Sequence, residues 1–257
     1  MKVVILAGGL GTRLSEETGV RPKPMVEIGG MPIIWHIMKI YSHYGYNDFV
    51  ICLGYKGYVI KEYFANLFLH LSDVSIDLEN NKVEILNSSS EKWKITLVET
   101  GEQTMTGGRI KRVAKYLNGE PFMLTYGDGV SNVDINKLIE CHKTSGRLCT
   151  VTGIKPQGRF GLMKIGKENL VESFSEKKDE ENSLINGGYF VCENKVLDYI
   201  EGDTTIWEKE PLENLAANGQ LNLYAHHGFW KPMDSLKDKN DLNELWASDQ
   251  AKWKVWG

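Results

Sequence analysis

The chain has 257 residues, 42% hydrophobic and 10% aromatic, with 30 basic against 34 acidic side chains and a formal charge of −4. That is ample for one large α/β core, while a charge so balanced, with no basic run denser than Gly107–Arg112, lacks the footprint of a nucleic-acid binder. Cys52, Cys141, Cys149 and Cys192 form no CxxC pair and stand among apolar residues, which excludes a zinc site by spacing and predicts buried free thiols in a reducing cytoplasm.

In chain order, Lys2–Gly8 (KVVILAG) is a short β-branched run ending in glycine, the signature of a buried parallel strand. Its apolar stretch, Val3–Ala7, is too short for a signal peptide or a membrane span, so a soluble cytoplasmic chain is expected. Pro32–Gly45 opens with proline, closes with glycine and repeats its apolar residues at helical spacing. A strand over Asp48–Gly54 and a helix over Tyr58–His70 follow, and this β-α-β-α rhythm predicts a parallel sheet covered by helices. Residues 72–93 are polar and rich in Asn and Ser; they break the rhythm and read as an inserted flap or subunit-contact segment. A strand at Ile95–Thr100, a helix at Gly107–Leu117, a strand at Pro121–Gly129, a helix at Asp134–Gly146 and a strand at Leu148–Ile154 come next. Beyond residue 160 the strands shorten to hairpin-like segments (161–166, 170–177 and 187–193). A helix over Trp207–Gln220, an extended stretch over Leu221–Asp234 and a closing helix over Leu236–Gln250 complete the chain.

The first strand runs into ILAGGLGTRL (Ile5–Leu14). Ligands of open parallel sheets bind beyond the carboxyl ends of the strands, and glycines there let backbone N–H groups approach phosphate closely. The stretch is not a P-loop, because no GK[ST] follows. Nor is it G-x-G-x-x-G: Gly9 and Gly11 fit, but position 14 is leucine. A nicotinamide oxidoreductase is therefore disfavoured. Arg13 offers a planar fork to phosphate, and Lys23, between two prolines that should hold it extended, a compact charge. Asp128, flanked by glycines, is on its own an ordinary Asx-turn position.

LAGGLGTRL followed by PKPM resembles the signature of the sugar-phosphate nucleotidylyltransferases, and the likeness extends over nearly the whole chain. MTGGRIKRV, YGDGV, GRFG, INGG and GFWKPMD resemble the cytidylyl branch acting on glucose 1-phosphate. The resemblance implies a Rossmann-like α/β fold with a mixed, mainly parallel sheet, helices on both faces and a smaller β-rich sugar-binding portion. It also implies a single domain over 1–257, with residues 1–130 mainly nucleotide-binding and 131–257 mainly sugar-binding plus the C-terminal helix.

By the same resemblance, Leu6, Ala7, Gly8, Gly9, Leu10, Gly11, Thr12, Arg13, Lys23, Thr104, Arg109 and Gly127 contact the nucleotide. Gly161, Glu176, Lys177, Asn186 and Trp230 bind the sugar phosphate. Asp128 and Asp234 hold Mg²⁺, and Arg13, Lys23 and Asp128 carry the chemistry. Two departures stand out. Three residues separate Trp230 from Asp234 where thymidylyl relatives have one, and Lys178 replaces the proline that commonly follows Glu176-Lys177.

The implied reaction joins CTP and α-D-glucose 1-phosphate into CDP-glucose and pyrophosphate, a first step toward CDP-deoxysugars of surface polysaccharide such as O-antigen. The nucleophile is a phosphate already ionised at neutral pH, so no general base is needed, and none is evident. A uridylyl or thymidylyl transferase, or a non-catalytic nucleotide-binding relative, is the alternative. The six histidines show neither metal spacing nor a nucleophile partner. Trp246, Trp253 and Trp256 crowd the C-terminus, for docking on the core or on another subunit; the family is generally oligomeric, so a homo-oligomer is expected.

Overall fold

Seven strands form one sheet: β1 (Lys2–Leu6), β2 (Asp48–Leu53), β3 (Lys94–Glu99), β4 (Phe122–Tyr126), β5 (Cys149–Ile154), β6 (Ile185–Cys192) and β7 (Leu221–His226), in the spatial order β7-β5-β6-β4-β1-β2-β3. The computed structural model describes residues 1–88, 91–155, 162–165, 171–175 and 184–257. Strand β1 pairs in parallel with both β2 and β4, β2 with β3, and β5 with β7, whereas β6 runs antiparallel to β4 and β5. The sheet is thus mixed and mainly parallel. Strands of residues 1–130 occupy one side of it and later strands the other.

Burial follows the two-residue period of a strand. Val3 and Ile5 of β1 enter one core cluster, Val4 and Leu6 the other, and all are buried. Helices cover both clusters. Helix α1 (Ile33–His43), α2 (Gly57–Leu71), α4 (Ile135–Ser145) and α6 (Leu236–Ala247) contribute to the first, and α3 (Thr106–Val113) and α5 (Glu210–Ala217) to the second. Proline at position 32 precedes α1, where its fixed φ is pre-set and its missing N–H costs nothing. Asp134 caps α4 by accepting from the Lys137 N–H at 3.0 Å, and Gly146 ends it at φ 61°.

The sheet revises a sequence expectation. The segment 187–193 is no peripheral hairpin strand; it belongs to β6, in the middle of the sheet. A buried antiparallel strand and a buried parallel one both read as continuous apolar runs. The hairpin expected further out is confined to Leu162–Ile165 and Val171–Ser175, which pair antiparallel.

Residues 72–88 form a separate two-stranded hairpin (Ser72–Asp77 with Lys82–Ser88) that leaves α2 directly. Ile76, Leu78, Val83, Ile85 and Leu86 on it are all exposed. Trp253 is fully buried, and its aromatic neighbours His36, Phe229 and Trp246 lie within ring-packing distance. The C-terminal tryptophans therefore dock on the core through α1. Among the described residues no helix is long and apolar enough to cross a membrane.

Candidate active site

At the carboxyl ends of β1 and β4 the chain builds a cleft of about 440 Å³. The Ala7 N–H still donates to Cys52 O at 3.0 Å, continuing the ladder, and the Gly127 N–H donates to Leu6 O at 3.0 Å. Beyond them the glycine turn leaves the sheet into a single 3-10 turn, Thr12–Leu14, with Gly11 at φ +65°, a conformation that suits glycine. Leu6 through Thr12, Lys23, Thr104, Arg109, Gly127 and Asp128 all line the cleft. The Arg13 backbone lies on the 3-10 turn beside them; its side chain, like Gly161, Glu176 and Lys177, lies outside the described residues.

Lys23 is the charged centre of the cleft. Its Nζ donates to Asp128 Oδ2 and Asp234 Oδ1, each at 2.7 Å, and the three side chains are 10%, 34% and 31% exposed. Burial by itself would lower the lysine pKa, but the two carboxylates outweigh it and raise the pKa above the ordinary value. Contrary to the sequence expectation, the Lys23 backbone is not extended. Only Pro22 is (φ −68°, ψ 150°), and Lys23 opens a 3-10 turn closed by the Val26 N–H on Lys23 O at 3.1 Å. The turn carries Met25 and Val26 into the core, which overrides the bias against helical backbone before proline.

The three-residue spacer before Asp234 has a structural role. Trp230–Pro232 pairs antiparallel with Gly129–Ser131, and the Met233 N–H donates to Asp128 O at 2.8 Å. The two strand ends therefore travel together and deliver Asp128 and Asp234 to one cation. On the far side of Asp234, Ser235 and Asp238 form a reciprocal capping box at the start of α6.

Arg109, expected on the nucleotide, spends its donors on the floor of the cleft. It is 4% exposed. Nη1 donates to Leu53 O (3.0 Å), Thr100 Oγ1 (2.8 Å) and Gly101 O (2.7 Å), and Nη2 to Gly8 O (3.0 Å) and Glu102 O (3.2 Å). A Cβ at Gly8 would stand 2.2 Å from this guanidinium, so any side chain there would push Arg109 off its carbonyl partners. Cys52, behind the same floor, has its thiol pushed up to about 12 by burial, which Arg109 only partly offsets. A thiolate nucleophile is thereby removed from consideration. Among the described residues no three His, Cys, Asp or Glu side chains group so as to hold a metal ion. Two carboxylates, a lysine held between them and a glycine turn suit the handling of phosphates.

A family model described as "Nucleotidyl transferase" matches residues 2–231. The chain belongs to the nucleotidyl transferase family. Along its full length it is 56% identical to the full length of a Salmonella typhimurium protein named glucose-1-phosphate cytidylyltransferase. A Saccharomyces cerevisiae mannose-1-phosphate guanyltransferase is 29% identical over 98% of this chain and 66% of its own. Among solved structures, HddC from Yersinia pseudotuberculosis superposes with a TM-score of 0.70 at 25% identity, covering 95% of this chain and 99% of the other.

On the other flank of this nucleotidyl transferase cleft, Asn186 and Trp230 come together over β6. The Asn186 side-chain amide donates to Tyr126 Oη at 3.3 Å, and the Trp230 indole N–H to Gly187 O at 2.7 Å. Tyr126 in turn donates to Glu208, whose other oxygen accepts from Thr106 Oγ1 at 2.6 Å. Burial, then the Glu208 charge, raises the Tyr126 pKa, so the phenol stays protonated as a donor. Sequence reasoning missed Tyr126, Glu208 and Thr106. YGDG and TMTGGR contain Tyr126 and Thr106, but nothing in WEKEP points Glu208 at Tyr126.

Proposed function

We propose that this chain transfers a cytidylyl group from CTP to α-D-glucose 1-phosphate, giving CDP-glucose and pyrophosphate. The observation that carries the reaction class is the convergence of Lys23, Asp128 and Asp234 beside the glycine turn. The choice of cytosine and glucose follows the Salmonella relative, aligned end to end.

An oxygen of the sugar phosphate attacks the α-phosphorus in line; its bond to phosphorus forms as the bond to the bridging oxygen breaks, and pyrophosphate leaves with the electron pair. Both reactants are anions, so positioning and charge neutralisation carry the catalysis. Backbone N–H groups of the glycine turn would cradle the triphosphate, with Arg13 reaching it from the adjoining turn. Lys23 would neutralise the α-phosphate. Thr104 borders the nucleotide, and Arg109 holds the turn by its carbonyls. Asn186 and Trp230 would face the hexose, and Gly161, Glu176 and Lys177 would complete that side, Lys177 on the attacking phosphate.

Asp128 and Asp234 fit Mg²⁺. Both are hard oxygen donors, both already converge on a positive charge, and two carboxylates suffice for an ion that draws its remaining ligands from phosphates and water. Bound there, the ion would supply neutralisation of the charge on the phosphates.

The test is a panel: purified protein, glucose 1-phosphate and Mg²⁺ with CTP, UTP, dTTP or GTP, reading pyrophosphate. Release with CTP well above the others is expected; equal release with UTP or dTTP overturns the base assignment, and none with any triphosphate overturns the reading. We further read the protein as a cytoplasmic homo-oligomer, supported by its free thiols and by the exposed apolar residues of the 72–88 hairpin. Light scattering coupled to size exclusion tests the assembly, and a monomer rejects it.

A further inference from the structure

The lysine between the two proposed metal ligands stands where a cation belongs. Its ammonium is 2.7 Å from an oxygen of each carboxylate, so it already makes the two contacts that a divalent ion would need from the protein. An ammonium and a divalent cation cannot share that space, because their repulsion is large at such a separation. We propose that Lys23 keeps the metal position closed until a triphosphate arrives, so that the divalent ion enters together with the nucleotide and not before it. This rests on the reading of Asp128 and Asp234 as metal ligands.

Three features support the exchange. The Lys23 stem packs on the glycine turn: a Cβ at Gly11 would lie 3.2 Å from the Lys23 Cβ. The side chain is therefore rooted beside the loop that would receive the phosphates. Next, both carboxylates remain about one-third exposed, and Asp128 lines the cleft itself. Finally, the two partners need each other's anions. A triphosphate gives Lys23 a replacement for the carboxylates, and it gives the divalent ion the oxygen ligands that two aspartates alone leave wanting. Lysine suits this role better than arginine, being a compact charge on a flexible stem. The coupling is reciprocal: if the nucleotide opens the metal position, the metal tightens the nucleotide by the same factor.

The test uses Mn²⁺ as the probe and its enhancement of water-proton relaxation as the readout, on the full chain, first alone and then with CTP. Wild-type protein alone should bind Mn²⁺ weakly, and Lys23→Met alone at least about 10-fold more tightly, within the usual range of coupling between sites. Adding Asp128→Asn to Lys23→Met should abolish the gain. With CTP, wild-type protein should form a ternary Mn²⁺ complex that Asp128→Asn weakens. If Lys23→Met binds Mn²⁺ no better than wild type while Asp128→Asn still weakens the ternary complex, the closed-site proposal is wrong and the metal-ligand reading stands. If Asp128→Asn leaves the ternary complex unchanged, the metal-ligand reading fails and takes the proposal with it. Should Lys23→Met not fold, as judged by circular dichroism, Lys23→Gln replaces it with the same expected gain.

Discussion

Two regions of the molecule bury a basic side chain, with opposite outcomes. In the cleft Lys23 keeps its proton, because the carboxylates of Asp128 and Asp234 overcome the cost of leaving water. In the aromatic clamp formed by α1 and the C-terminal tail, His36 is fully buried among the rings of Trp35, Trp246, Trp253 and Trp256, and its pKa falls to about 4. Desolvation is the largest influence in both; the hydrogen bonds from His36 to the carbonyls of Ile28 and Met31 oppose it only in part. The clamp is satisfied by the neutral ring. Nε2–H donates to Ile28 O at 2.8 Å, and Nδ1 accepts from the Trp253 indole at 3.4 Å. A functional site holds charge in place by balancing it, whereas a structural one expels it.

That contrast can be broken by substitution. Trp253→Ala should cost about 3–5 kcal/mol, the range for emptying a large buried aromatic site, read as a lowered urea midpoint. A midpoint shift equal to that of a surface variant would mean that the tail is not part of the core. Lys23→Ala should leave the fold intact, since both carboxylates keep access to water, yet lower turnover at least about 100-fold. Near-normal turnover would remove Lys23 from the catalytic apparatus.

His36 makes the clamp sensitive to acid. Below pH 6.5 the unfolded chain takes up a proton that the folded ring refuses until about pH 4, so stability falls as pH falls through that window. Between pH 7 and 5 the loss should be roughly 2 kcal/mol, and His36→Gln should flatten it. An unchanged profile in the variant would assign the acid sensitivity elsewhere. The smallest effect belongs to the border of the two regions. Ser235→Ala removes the cap of α6 and should cost about 1 kcal/mol, with turnover reduced only a few-fold. A loss as deep as that of Lys23→Ala would show that the cap fixes Asp234 rather than merely starting the helix.

Much of this was legible in the sequence, for identifiable reasons. Pro32, Asp134 and Gly146 punctuate helices at the positions where capping chemistry predicts. The glycine turn after β1 pointed to the cleft only in company with Arg13, Lys23 and the PKPM stretch, since a glycine turn by itself is equally a plain structural turn. What stayed hidden depends on three-dimensional context. The apolar run of β6 carries no mark of strand direction, and its central position emerged only from pairing. Arg109, expected on the nucleotide, lies in the lining of the cleft. That its guanidinium would be absorbed by five acceptors could not be read from its neighbours in the chain. Glu208 belongs to an amphipathic stretch whose charges all look alike until the fold turns one of them toward Tyr126.

Asp234 reaches Lys23 across 211 residues. A ribosome translating this message therefore exposes the glycine turn and its lysine long before the second aspartate exists. A nascent chain that has not reached residue 234 carries the glycine turn and Lys23 without the completed carboxylate pair. Any chain cut before residue 234 lacks the second carboxylate that grips Lys23.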